Sequence, residues 1–311
     1  IYLGVFLNVM IMASVSLAAI KIGGIMLGLE PWECIVYAAT VTVIFSSLGG
    51  FKGVLFTDFL LFIIAMVGAI AAAYYALQHE AVGGLSGMME TFSANSEMKS
   101  KLSFFPKPGT DGFVTLFMIP LLIGWWSSWY PGAEPGGGGY LAQRMLAAKN
   151  EKHAVGATIF FNACHYAVRP WPWIIVALCS LIVFPDIESI KAAFPEAENV
   201  ANDSAYSAML TFLPAGWMGL VLTSLVAAYM STISTHLNWG SSYIVNDVFL
   251  RFLKPKASQK ELIWVARIST VVLMIMAGII ALNMKSAQKN FELLLAIGAG
   301  TGSIYILRWF W

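Results

Sequence analysis

Charge is scarce in this chain. Asp, Glu, Lys and Arg make up 11% of its 311 residues, against 59% hydrophobic ones. Water-soluble domains carry about 25% charged residues, so a soluble globular fold is excluded. The formal net charge is +1 and no basic cluster stands out, which argues against nucleic acid as a partner. Cysteine is nearly absent too. Cys34, Cys164 and Cys179 lie in apolar runs and show neither a disulfide framework nor metal-type spacing. The four histidines, His79, His153, His165 and His236, are scattered over loops and separate apolar runs. No nucleophile–base or metal spacing accompanies them, so the chain does not read as an enzyme. Short alternating segments, the mark of a membrane β-barrel, are missing as well. What is there is long apolar runs and a mean hydropathy of +0.74. That composition predicts an all-α polytopic membrane protein with the lipid bilayer as its solvent.

Eight spans are expected, at roughly 1–20, 32–49, 53–77, 113–142, 156–184, 213–246, 262–283 and 291–307. The linkers 79–112 and 185–212 are polar and acidic. The shorter connections carry the bases: Lys52; Arg144, Lys149 and Lys152; Arg251, Lys254, Lys256 and Lys260; and Arg308. The positive-inside rule therefore puts the short loops in the cytoplasm and the acidic linkers outside. Ile1 opens inside an apolar run without an initiator Met or signal peptide, and Trp311 closes in RWFW. The expectation is an internal fragment forming one transmembrane domain, 1–311.

The fourth span is interrupted. WWSSWYPGAEPGGGGYLAQR, 125–144, follows an apolar run and holds Glu134, two prolines and five glycines. If Asp111 is outside and Arg144 inside, this stretch lies at membrane depth, where non-helical backbone is tolerated only inside protein or along a cavity. A discontinuous span of this kind points to a solute site. A re-entrant or interfacial loop followed by an amphipathic helix, YLAQRMLAAKN, is the other reading.

Two further features bear on ions. In the sixth span, Ala228, Ser231 and Thr232 stand at i, i+3 and i+4, and Ser231, Ser234 and Thr235 repeat the pattern. Such a face offers neutral oxygens to a dehydrated alkali cation; it equally suits back-bonding to carbonyls or close helix packing. Asp58, beside Thr57 at the start of the third span, is either a functional intramembrane acid or an interfacial residue facing Lys52. Around the interruption, Trp125, Trp126, Trp129 and Tyr130 could wall a solute or anchor the interface. Glu134, and His165 with Arg169 one helical turn apart, are candidates for solute contact. A Glu134–Arg169 ion pair would make both structural. Pro170 and Pro172 predict a kink beside Arg169.

Four stretches resemble the sodium/solute symporter family, whose members carry sugars, sialic acid, proline, pantothenate and iodide. They are SSLGGFKGVLFTD, YLAQRMLAAK, FLPAGWMGLVLTSLVAAYMSTISTHLN and SSYIVNDVFLRFL, and they occur in the family's order. The resemblance implies a LeuT-type fold of two inverted five-helix repeats. This chain would supply the last three helices of the first repeat and all five of the second. It also implies a shared sodium site, whose eighth-helix half falls on Ala228, Ser231 and Thr232. A second sodium site, found in some members, falls on Asp58, Ser231, Ser234 and Thr235. Sugar-transporting members have a compact W-G-x-N-Q stretch ahead of Q-R. Here WYPGAEPGGGG stands in its place, so no substrate contact is carried over.

The function expected is sodium-coupled import of a small polar solute (a sugar, sugar acid, amino acid or other carboxylate) across the cell's inner (plasma) membrane by alternating access. Na⁺ would be the coupling ion, with no cofactor. Proton coupling through Asp58 or Glu134, and a transporter-like sensor domain, are the alternatives.

Overall fold

The computed structural model describes residues 2–48, 51–110, 112–124, 144–197, 200–307 and 310; within its helices, the side chains of 45–48, 51–58, 116, 123–124, 288, 295, 298, 302–303 and 305–306 lie outside the description. Among the described residues every regular element is helical. The long ones are α1 (Tyr2–Leu27), α2 (Pro31–Leu48) and α3 (Phe51–Leu77). The short α4 (Gly84–Ala94) and α5 (Ser96–Lys101) follow, then α6 (Glu151–Asn162), α7 (Pro170–Val183), α8 (Ile187–Ala193) and α9 (Ala205–Leu210). The chain closes with α10 (Ala215–Ser242), α11 (Gln259–Asn283) and α12 (Ala287–Leu307). Five helices are long and apolar enough to cross a membrane, and two shorter apolar ones begin at Pro31 and Phe113.

Helix starts follow from local chemistry. Asn150 accepts from the His153 amide and opens α6; Ser258 and Glu261 bond each other's backbone and open α11. Between α1 and α2 the chain turns at Gly28, whose φ of 63° is open to glycine at no steric cost.

Prolines shape the remaining breaks. Wide π-type turns at Phe113–Met118, Ala163–Val168 and Tyr243–Leu253 each close on a residue that directly precedes a proline. The Ile119, Arg169 and Lys254 amides reach back five residues to the carbonyls of Val114, Cys164 and Phe249. A proline ring clashes with the carbonyl four residues earlier and restricts the residue before it. Widening the turn by one residue relieves that clash. The wide turn Ala163–Val168 thus lies just ahead of Pro170, where the sequence predicts a kink.

α10 is the hub, touching α1, α2, α3 and α11, and α1, α2, α10 and α11 each pack on the other three. Tyr229, Ile233 and Leu237, spaced four apart on α10, meet Val9 and Met12 of α1 and Leu273 of α11 in one buried core. The opposite face of α11 stays open: Ile268, Ile275 and Ile279 are 56–59% exposed at helical spacing, the pattern of a lipid-facing stripe. A second core joins the ends of α3 and α7 to the linkers, with Met88, Phe92, Ile190 and Met209 at its centre. The acidic linkers are thus more than polar loops. Their short helices α4, α8 and α9 bury apolar faces on the bundle.

Several polar links tie α1 to its neighbours, and in three of them its buried polar groups are all paired. Asn8 and His236 exchange bonds, Asn8 Nδ2 donating 2.8 Å to the His236 carbonyl while the two side chains meet. Ser16 lies 3.2 Å from the Tyr229 hydroxyl. Lys21, 4% exposed, pairs with Asp203 and donates 3.3 Å to the Lys285 carbonyl. The sequence places the first span at 1–20, but α1 continues to Leu27, so Lys21 lies within it. Lys21, the 185–212 linker and the α11–α12 connection therefore share one end of the bundle. That agrees with the alternation expected from the loops.

Candidate cation site

Helix α10 offers two unlike faces. Ile233, Ser234 and Leu237 are fully buried, whereas Ser231, Thr232 and Thr235 are half-buried and Ala228 is exposed. Ala228, Ser231 and Thr232 sit in one unbroken α-helix, so the spacing read from the sequence does put them on one edge. Ser234 Oγ donates to the Ser231 carbonyl at 3.1 Å, and Ser224 and Thr223 back-bond in the same way at 2.7 Å. Back-bonding is thus part of what these hydroxyls do. A hydroxyl that gives its hydrogen to a carbonyl keeps both lone pairs, so it remains able to ligate a cation.

Asp58 lies in α3, and the packing of α3 on α10 sets its level. Tyr75 meets Trp217 with ring centroids 6.4 Å apart. Gly68 is tight against Val221 and Ser224; a Cβ added there would come 3.1 Å from Val221 Cγ2 and 3.5 Å from Ser224 Oγ. From Tyr75 to Gly68 the numbers fall by seven while those of α10 rise by seven, from Trp217 to Ser224, so the helices run antiparallel. At about 1.5 Å rise per residue in both helices, ten further residues bring Asp58 level with Ser234. The helix–helix register thus sets the acid's backbone at the height of the hydroxyl ladder.

One basic residue reaches the same level. Arg144 Nη2 donates to Thr235 Oγ1 at 3.4 Å. Sequence reasoning treated Arg144 only as a cytoplasmic base and missed this contact. A cation inside the QR motif, next to a hydroxyl helix, was the available signal.

Between α1, α2 and α10 lies a cavity of about 360 Å³. Ala228 and Thr232 line one wall, but most of its lining is apolar, including Val15, Ile22, Tyr37 and Val41. It suits an apolar group better than a polar solute.

His165 and Arg169 do not join this cluster. Arg169 Nη1 lies 3.2 Å from His165 Nδ1 and its guanidinium stacks 4.6 Å over Trp173. His165 in turn stacks on Phe161, with centroids 5.1 Å apart. The wide turn that carries the pair packs on its own flanking helices α6 and α7. Trp125, Trp126, Trp129, Tyr130 and Glu134, and with them the interruption itself, lie outside the described residues. Among the described residues no cluster of His, Cys, Asp and Glu could hold a metal ion.

Comparison with known proteins covers nearly the whole chain. The family model "Sodium:solute symporter family" matches residues 2–311. The Sodium/myo-inositol cotransporter 2 of Oryctolagus cuniculus is 30% identical over 92% of this chain and 44% of its own length. The Sodium/glucose cotransporter of Vibrio parahaemolyticus is 25% identical over 92% of this chain and 54% of its own. The chain thus spans about half the length of these relatives. A solved Na⁺-coupled sialic acid symporter, substrate-bound and outward-open, superposes with a TM-score of 0.71 at 19% identity, covering 98% of this chain and 61% of that one. This likeness shows the fold: an all-α LeuT-type transporter core.

Proposed function

The chain belongs to the sodium:solute symporter family, and from that premise we propose that it forms the core of a sodium-coupled symporter that imports a small polar solute by alternating access. Family and relatives are membrane transporters, not enzymes. We read residues 1–311 as one multi-pass transporter domain of the plasma membrane. The observation that carries the proposal is the level register of Asp58 with the hydroxyl edge of α10, in a family segment. On that edge the Ala228 carbonyl and the Ser231 and Thr232 hydroxyls would bind one Na⁺. Asp58, Ser231, Ser234 and Thr235 would bind a second. Hydroxyl and carbonyl oxygens replace the water shell of a monovalent cation, and one carboxylate supplies charge without building the carboxylate cage that favours divalent ions.

Coupling follows if sodium binds one conformation better than the others, because a ligand shifts an equilibrium only by its differential affinity. A cation joining α10 to a neighbouring helix has that property wherever the two helices part during transport. For the solute, polyhydroxylated compounds come first, since relatives are named for myo-inositol and glucose; sugar acids, amino acids and other carboxylates follow. Trp129, Tyr130, Glu134, His165 and Arg169 remain the proposed solute or gate residues.

The test is the thermal stability of the purified protein in NaCl and in KCl, with Ser231→Ala alongside, followed by solute uptake into proteoliposomes under a sodium gradient. Sodium-specific stabilisation that Ser231→Ala weakens is the expected result. Identical curves in both salts would sink sodium coupling and favour a proton-driven carrier or a sensor.

A further inference from the structure

Arg144 is a positive charge at the level where the second sodium would bind. Its Nη2 donates to Thr235 Oγ1, an oxygen assigned to that site, and Asp58 stands at the same height on α3. An intramembrane carboxylate is costly without a cation beside it. When sodium leaves such a site, some other positive group must take over its charge, or the acid must take up a proton. We propose that the Arg144 guanidinium is that replacement: it and sodium exclude each other at Thr235, so that Arg144 holds the empty second site and sodium displaces it. This rests on the sodium-coupled reading above and extends it to a residue outside the ion's ligand set.

Two physical points favour exclusion over co-occupancy. The guanidinium is permanently charged and cannot yield by losing a proton. A sodium ion on Thr235 Oγ1 would lie within a few ångström of it, where like charges in a partly buried site repel strongly. The arrangement also gives the carrier a charge-balanced empty state. The bundle can then reset without an unpaired carboxylate, while Arg144, at the start of the cytoplasmic connection, swings between the site and that connection.

The experiment reads sodium half-saturation from melting temperature against NaCl concentration, at constant ionic strength with KCl, using the full protein. Four forms are compared: the parent, Arg144→Gln, Thr235→Val and the double variant. Removing the competing charge should tighten sodium binding, by about tenfold on the usual scale of site coupling. In the Thr235→Val background the same substitution should change little. Arg144→Lys, which keeps the charge, should stay near the parent and serves if Arg144→Gln does not fold. Unchanged or weaker sodium binding in Arg144→Gln, with a normal sodium response in the parent, overturns the arginine exchange alone. Absence of any sodium response in the parent overturns the sodium-coupled reading and this inference with it.

Discussion

The seam along α1 and the hydroxyl edge of α10 are both polar features in an apolar bundle, yet they are built oppositely. Along the seam, Asn8, Ser16 and Lys21 are at most 4% exposed, and each has found a partner within the chain. Along the edge, Ser231, Thr232 and Thr235 are only half-buried, and Thr235 is met by a long, mobile type of side chain, Arg144. Buried polar groups that are fully paired rigidify a core. Oxygens with lone pairs to spare can exchange partners. The seam therefore reads as scaffold, and the edge has the exchangeable oxygens that the proposed cation sites require.

The sharpest way to break this contrast is at Lys21. Lys21→Met leaves Asp203 without its partner and should cost about 3–5 kcal/mol, the range for breaking a buried pair. Asp203 is 37% exposed, so the lower end is expected. Denaturation in detergent checks it, and a variant as stable as the parent would remove the seam's claim to be scaffold. Next comes Ser231→Ala. It should leave stability in potassium nearly unchanged but erase a sodium increment of about 2.7 kcal/mol at a hundredfold excess over Kd. An equal loss in both salts would show that Ser231 serves packing instead.

Gly240→Ala tests the seam from α10. The new methyl would fall 2.3 Å from Asn8 Nδ2 and 2.9 Å from Leu273 Cδ1. Overpacking of this kind costs about 1–3 kcal/mol, and the loss should be the same in sodium and potassium. A sodium-dependent loss would mean that seam and edge are coupled. The smallest effect is expected at Lys254→Ala, which breaks a surface pair with Glu261 whose partners are 52% and 41% exposed. Exposed pairs contribute about 0.2–1 kcal/mol, and no change in sodium response should accompany it.

Much of the fold is legible in the residues. All eight apolar runs correspond to helices or, for the fourth, to a helical start at Phe113–Gly124. The prolines after Ile119, Arg169 and Lys254 mark the ends of three wide turns. Other elements were not legible to the same degree. The acidic linkers hide α4, α8 and α9, although Met88 and Phe92 stand four apart. Lys21 and Asn8 carry no local signal, because their partners are 182 and 228 positions away. His165 and Arg169 were correctly placed one turn apart, but only coordinates could show that they satisfy each other and Trp173 rather than join the α10 edge.

The sequence by itself determined the solvent, the order of the apolar helices and the one-sided spacing of Ala228, Ser231 and Thr232. These depend on hydropathy and helical period, both of them local properties. Tertiary structure alone decided that Asp58 stands level with Ser234, that Arg144 reaches Thr235 and that Lys21 is clamped by Asp203. Those are matters of helix register. In a lipid environment the apolar surface of a helix does not specify its neighbour; close approach at small residues such as Gly68 and Gly240, together with a few interhelical polar bonds, does.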